Sequence, residues 1–245
     1  MQEKGIEVGV VKTIYLYPVK SMRGQEVENA RLWWHGLEGD RRYAFVRSEN
    51  YTGFPWLSAR VIPQMIRYVP HFEQPEAVLE SEVVVRTPTG QELPVESEAL
   101  LQELRSAHGA PIHLVKLGRG AFDSMSVSLI STATLAALSE AVGEPLEARR
   151  FRPNLLIEVT NEEPFAEETW LGALLQIGDR PDSPRLRMNR KNQRCVVITL
   201  NPESAEANPK VLREVVQRRE QFAGVYGTAE QPGKIEVGDV LYWRA

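Results

Sequence analysis

The sequence predicts a β-rich α+β fold, in which an N-terminal β-barrel-like lobe packs with a second β-barrel lobe carrying a few helices. Three observations predict it. Short runs of β-branched and aromatic residues recur between Gly, Pro and Asn, helical periodicity is confined to three capped segments, and strands and helices do not alternate as βαβ units. In order, "VGVVKTIYLYP" (Val8 to Pro18), "RLWW" (Arg31 to Trp34), "RYAFVRS" (Arg42 to Ser48) and "MIRYVPHF" (Met65 to Phe72) read as strands. "EVVVRTPTGQELPV" (Glu82 to Val95) is the clearest hairpin, with Pro88, Thr89 and Gly90 as its turn. Five or more strands at this spacing suggest a barrel or curled sheet.

"SEALLQELRSAHG" then reads as a helix, with Ser97 able to cap it, Leu100, Leu101 and Leu104 on one face and Gly109 as its stop. A domain boundary falls near Gly109 to Gly120, dividing the chain into residues 1–110 and 111–245. "STATLAALSEAVG" repeats the helical arrangement, with Ser131 or Thr132 as cap and Gly143 as stop. A third helix starts at "NPKVLREVVQRR", where Asn208 caps and Pro209 takes the first helical position, whose N–H has no helical partner in any case. The remaining strands are "NLLIEV" (Asn154 to Val159), "LLQIG" (Leu174 to Gly178), "RCVVITL" (Arg194 to Leu200) and "KIEVGDVLYW" (Lys234 to Trp243).

A chain of 245 residues supports a core without disulfides or structural metal. Its formal net charge of −4 argues against a surface built for nucleic acid, while leaving room for a local basic site. The start "MQEKGIEVGV" has acidic residues and no apolar leader, and nowhere do about eighteen apolar residues run together, so neither a signal peptide nor a membrane span is expected. Together with a single cysteine this fits a cytoplasmic, reducing compartment.

That cysteine, Cys195, cannot form an intramolecular disulfide. Arg185, Arg187, Arg190, Lys191 and Arg194 precede it closely, and Arg149, Arg150 and Arg152 stand in "EARRFRPN". Concentrated positive charge favours thiolate and makes a site for an anion, so one arrangement serves both metal ligation and phosphate binding. A buried, inert thiol amid solvated charges fits the same residues. His35, His71, His108 and His113 lack zinc-site spacing, and there is no GxSxG elbow, Walker A loop or GxGxxG turn. "YPVKSMRG" places Lys20, Ser21 and Arg23 just beyond a strand, where they face either a phosphate or solvent.

Taken together, "YPVKSMRG", "GDRRYAFV", "LISTATLAAL", "FRPNLLIE", "QRCVVITLNPES" and "GVYGTAEQPGKIEVGD" resemble, in order and approximate spacing, the MOSC-domain proteins with an N-terminal β-barrel extension, from about Val8 to Trp243. Members include the mitochondrial amidoxime reducing component and bacterial reductases of N-hydroxylated bases. The resemblance implies a molybdenum cofactor of the molybdopterin type between the two lobes, with Cys195 as metal ligand. It implies pterin and phosphate contacts from Lys20, Ser21, Arg41, Ser124, Arg152, Asn154, Gln193 and Arg194, and a catalytic role for Asp123 beside Cys195. At family level it also carries pyridoxal phosphate binding. Leu200 replaces the second threonine of the family's RCxxTT pattern, and "RPDSPRLRMNRKNQ" is an unusual insert before the cysteine.

The function so implied is reduction of hydroxylamines or amidoximes, small-molecule substrates. No cysteine-rich iron–sulfur segment follows the last strand, so electrons are expected from a separate protein of the ferredoxin or flavoprotein type. A persulfide carried on Cys195 for sulfur transfer, or cofactor binding without turnover, would use the same residues.

Overall fold

The computed structural model describes residues 5–50 and 53–244, so Met1–Lys4, part of the start examined for a leader, lie outside it. From the N-terminus come β1 (Ile6–Leu16), β2 (Gln25–Val27), β3 (Asn29–Trp33), β4 (Gly36–Leu37), β5 (Tyr43–Arg47), β6 (Val69–Phe72), β7 (Val83–Arg86), β8 (Glu92–Pro94), helix α1 (Glu98–His108) and β9 (Ile112–Lys116). There follow β10 (Val127–Ser131), α2 (Thr132–Val142), α3 (Ala148–Phe151), β11 (Leu155–Val159), β12 (Leu174–Ile177), β13 (Arg185–Gln193), α4 (Pro209–Arg219), β14 (Phe222–Gln231), β15 (Gly233–Glu236) and β16 (Val240–Arg244).

The main sheet runs β11-β10-β14-β13-β12-β16-β1-β2, and β1 also pairs with β11, so seven of these strands close on themselves. The first strand of the chain thus completes a barrel made otherwise of C-terminal strands. Closure leaves no free edge among the seven, and the alternation of β1 and β10 divides their side chains between two sides. Val11, Ile14, Val127 and Leu129 join a cluster that continues through Phe45, Leu57 and Leu100. Tyr15, Tyr17 and Ile130 instead pack with Leu135, Leu138, Val211 and Val215 of α2 and α4. Burying each of these large apolar side chains stabilises the fold by roughly 1.5–3 kcal/mol. The N-terminal half adds two small sheets, β5-β9 and β6-β7-β8, and shares a third, β15-β3-β4, with the C-terminal strand β15.

The helices begin and end where the caps predict. Ser97 Oγ accepts from Leu100 N, Ser131 Oγ from Thr134 N and Asn208 Oδ1 from Lys210 N, while Gly109 and Gly143 close α1 and α2 in the left-handed region. Three strand readings need correction. "KIEVGDVLYW" is not one strand but two, β15 and β16, which lie in different sheets and are separated by a turn in which Gly238 takes φ 91°. Met65 to Arg67 belong to a 3-10 turn, Pro63–Arg67, and only Val69–Phe72 is strand. In "RCVVITL" the extended segment ends at Gln193, and Val196–Thr199 coils into a 3-10 turn with Cys195 at its N-terminal boundary. Of the segment "RPDSPRLRMNRKNQ", Arg185–Gln193 form β13, a strand of the barrel paired with β12 and β14.

Candidate functional site

A cleft of about 720 Å³ brings together all ten residues singled out above, Lys20, Ser21, Arg41, Asp123, Ser124, Arg152, Asn154, Gln193, Arg194 and Cys195. They arrive from the end of β1, the segments before β5 and β10, the turn between α3 and β11, and the end of β13. Three of them hold the backbone in the left-handed region without being glycine: Ser21 at φ 67°, Arg41 at φ 51° and Arg152 at φ 51°. Such residues cost of order 1 kcal/mol each and cluster where geometry is dictated by function.

The base of the site is organised by Tyr17, which the sequence reading passed over. Its ring is fully buried between the guanidinium groups of Arg41 and Arg152, at 4.5 and 4.4 Å from the ring centroid. Tyr17 N donates to Asp40 Oδ1 at 2.8 Å and its hydroxyl to Pro153 O at 3.0 Å. Asp40, itself buried, also takes a charge-assisted bond from Arg41. Burial works against the charge of Arg41, but Asp40 more than offsets it and holds the guanidinium above its ordinary range. Among the described residues no carboxylate is hydrogen-bonded to Arg152, and burial lowers it to about 10. Arg152 Nη1 donates to Met22 O at 2.7 Å, while its buried Nη2 has no hydrogen-bond partner among the described residues.

Lys20 is 5% exposed. Its ammonium donates to Ala121 O at 2.6 Å and to Asp123, and lies 5.6 Å from the ring centroids of both Phe54 and Trp56. Burial pulls it down to about 8; Asp123 works the other way, and Arg41 and Arg152 add to the fall. Asp123, half-exposed, also pairs with Arg60 at 3.5 Å. Ser124 accepts from Arg190, and exposed Gln193 donates to Gln221 Oε1 at 3.4 Å.

Asn154 and Arg194 line the cleft, but the protein engages most of their polar atoms. Asn154 Oδ1 accepts from Ser128 N at 3.1 Å and Arg41 Nη1 at 3.4 Å, and Nδ2 donates to Tyr15 O at 3.3 Å. Arg194 donates from Nε to Ala223 O and from Nη1 to Phe151 O, both at 2.7 Å, and burial lowers it to about 10. Turned so that its oxygen faces this guanidinium, the Asn192 amide accepts from Nη1 at 3.0 Å and Nη2 at 3.2 Å. Arg150, read in the sequence only as one of the cations near Cys195, donates Nη1 to Thr199 O at 2.8 Å and so holds the turn that follows Cys195. The free thiol of Cys195 is half-buried in the cleft wall.

Among the described residues, eight lysines and arginines line the cleft against one carboxylate, Asp123, in a chain whose net charge is −4. Such an imbalance inside a concave surface focuses positive potential and selects an anion. Among the described residues no three His, Cys, Asp or Glu side chains group into a metal cage. A metal on Cys195 would therefore take most of its ligands from something other than the protein. The residues fit an anionic metal chelate: one soft sulfur, surrounding cations and the unpartnered donor of Arg152.

A closed seven-stranded barrel with a cationic cleft at its rim is the setting into which the family comparison falls. The sequence profile of the MOSC domain matches residues 106–242, and that of the MOSC N-terminal β-barrel domain matches residues 8–123; the chain belongs to the MOSC family. It is similar to mitochondrial amidoxime-reducing component 1 of Xenopus laevis, 30% identical over 134 residues, and to that of Homo sapiens, 28% identical over 133. These matches take in 49% of this chain and 36% and 37% of the relatives, so the chain aligns with a little over a third of their length. A crystal structure of the YUAD protein from Bacillus subtilis aligns over 96% of this chain and 95% of its own with a TM-score of 0.51; at 12% identity the likeness is one of fold. Pyridoxal phosphate binding finds no support in these matches. No helix among the described residues is long and apolar enough to cross a membrane.

Proposed function

We propose that this protein is a molybdenum-cofactor-dependent reductase of N-hydroxylated small molecules, hydroxylamines or amidoximes, with Cys195 as the protein's ligand to the metal. The observation that carries the reading is a half-buried thiol in the wall of a cleft lined by eight cations and one carboxylate. The names of the amidoxime-reducing relatives supply the substrate class. Lys20, Ser21, Arg41 and Arg152 would hold the pterin and its phosphate, with Ser124 and Gln193 at the exposed edge. Asn154 and Arg194 would act from behind, Asn154 by fixing Arg41 and Arg194 by anchoring the residue before the thiol to Phe151 and Ala223. Bound there, the cofactor would supply the two-electron redox change that converts an N-hydroxy group, with two protons, to the amine and water.

The remaining tasks fall to the chain itself. Arg41 and Arg152, fixed by the Tyr17 ring, offset negative charge without having to move. Asp123 is the candidate proton carrier, since its half-exposed carboxylate is hydrogen-bonded to Lys20. A separate ferredoxin- or flavoprotein-type donor would deliver electrons. A thiol that must stay free for metal suits a reducing compartment such as the cytoplasm. The division into residues 1–110 and 111–245 is likewise proposed, with β1 crossing to complete the second unit's barrel.

The test is turnover by cofactor-loaded protein, using benzamidoxime and a hydroxylamine with reduced viologen as artificial reductant. Reduction lost in Cys195→Ala supports the reading. Loaded protein that reduces neither substrate excludes it, and persulfide on Cys195 without bound metal assigns the site to sulfur transfer.

A further inference from the structure

The cations of the cleft fall into two sets. Lys20, Arg41, Arg150, Arg152 and Arg194 are each fixed by a backbone carbonyl or by the buried carboxylate of Asp40. Arg60, Arg190 and Lys191 are the accessible set, Arg60 and Arg190 exposed and Lys191 half-exposed. Of these, Lys191 already meets Glu168 at 2.6 Å.

Arg190 reaches the cleft through an irregularity in β13. Leu186 and Met188 are buried in the core, and strict alternation along the strand would send Arg190 the same way. The pairing of β13 with β14 shifts register between Met188 and Arg190, which leaves Arg190 exposed on the cleft wall. Among the described residues no carboxylate lies within ion-pair distance of it, and its guanidinium donates to the hydroxyl of Ser124. Arg60 arrives from the segment between β5 and the 3-10 turn Pro63–Arg67. It stacks on Phe54, 4.8 Å from the ring centroid, and reaches Asp123 only at 3.5 Å, while Lys20 already donates to that carboxylate.

Two guanidinium groups from different elements thus meet the consecutive residues Asp123 and Ser124, one through a long contact and one through a neutral hydroxyl. A guanidinium binds an oxyanion far more strongly than a hydroxyl, and its planar fork matches carboxylate or phosphate with two parallel bonds. We propose, on the reductase reading above, that the preferred substrates are N-hydroxylated molecules that also carry an oxyanion, a carboxylate or a phosphate ester, received by Arg190 with Arg60 beside it. The oxyanion replaces Ser124 as the acceptor for Arg190, and it tethers the substrate beside Asp123, the candidate proton carrier. A neutral amidoxime enters the same cleft without this anchor.

The experiment compares 4-carboxybenzamidoxime and 4-phosphonooxybenzamidoxime with the neutral 4-carbamoylbenzamidoxime, using cofactor-loaded protein and reduced viologen. In wild type, kcat/KM for an acid should exceed that for the amide, and the better acid identifies the oxyanion. That excess should fall on the order of fivefold in Arg190→Gln, and it should shrink as salt is raised, because the pair is exposed. Equal kcat/KM for acids and amide, or a ratio unchanged in Arg190→Gln, would overturn the proposal. So would loss of molybdenum and pterin from that variant, which would assign Arg190 to the cofactor. If Arg190→Gln does not fold, Arg190→Lys, which keeps the charge without the fork, should still lower the ratio. Loaded protein that reduces none of the three compounds refutes the reductase reading instead. Calorimetric affinities of the same compounds then decide the cleft mouth separately, and equal affinities for acids and amide overturn its selectivity.

Discussion

Removing the charge of Lys20 should change the pH dependence of stability in a direction fixed by the structure. Below about pH 8 the lysine is protonated in both folded and unfolded chains, and the cost of burying its charge is constant. Between 8 and the ordinary value of 10.5 the folded chain has released the proton while the unfolded chain still holds it, so the contribution to stability rises with pH. At about 1.4 kcal/mol per pH unit the full rise is about 3 kcal/mol. Urea unfolding of wild type and Lys20→Met between pH 7 and 10.5 reads this directly, because titrations shared by the two proteins cancel in the difference. Wild-type stability relative to the variant should climb across that window. A flat or falling difference would refute the assignment of a buried, charge-disfavoured lysine. An anion against the ammonium would push its pKa back up, so affinity for inorganic phosphate in this cleft should fall as pH passes 8.

Other substitutions follow from the same geometry. Tyr17→Phe removes one hydrogen bond and should cost about 1 kcal/mol, whereas Tyr17→Leu also removes the ring between two guanidinium groups and should cost about 3 kcal/mol, both read by denaturant melts. Glu167 is fully buried at the start of α2, where it accepts from Ser131 N, Ser131 Oγ and Thr134 Oγ1; Glu167→Ala should destabilise by about 3 kcal/mol, and Glu167→Gln by less. Gly224 sits at φ 73° with the position of a Cβ only 2.5 Å from Leu129 O and 3.1 Å from Arg194 Nη2, so Gly224→Ala should lose more than about 1 kcal/mol and lower the melting temperature.

Much of this was legible in the sequence because local signals agreed with the fold. Ser97, Ser131 and Asn208 cap the helices, and the turn at Pro88–Gly90 joins β7 to β8 as its residues require. What escaped has a physical cause. In β13 the buried Leu186, Met188 and Asn192 are interleaved with Arg185, Arg187 and Arg190, and so dense a charge pattern reads as a loop although it alternates like a strand. "RCVVITL" reads as a strand because β-branched residues dominate it. Tertiary contacts override that propensity: Arg150 draws on the carbonyls of Ile198 and Thr199, and Ile198 N turns back to Cys195 O.

The residues matched by resemblance converge on one cleft, whereas Tyr17 escaped because nothing local marks it, and Arg150 was legible as a charge but not as the support of the turn after Cys195. Tyr17 read as one more aromatic at a strand end, yet it separates two buried guanidinium groups. Asn154 and Arg194 matched as ligand contacts, but their bonds to Tyr15, Ser128, Ala223 and Phe151 appear only once β1, β10, β11 and β14 are assembled. The sequence therefore identified where the site lies better than what each side chain does there.

The central claim is that Cys195 holds a molybdenum cofactor. Its most direct test is the molybdenum and pterin content of wild type and Cys195→Ala, each purified from a molybdate-supplied host that makes the cofactor. Near-stoichiometric metal in the wild type, lost in a variant that melts within a few degrees of it, is the predicted result. Absence of metal and pterin from the wild type, while the host's other molybdenum enzymes are loaded, would contradict it.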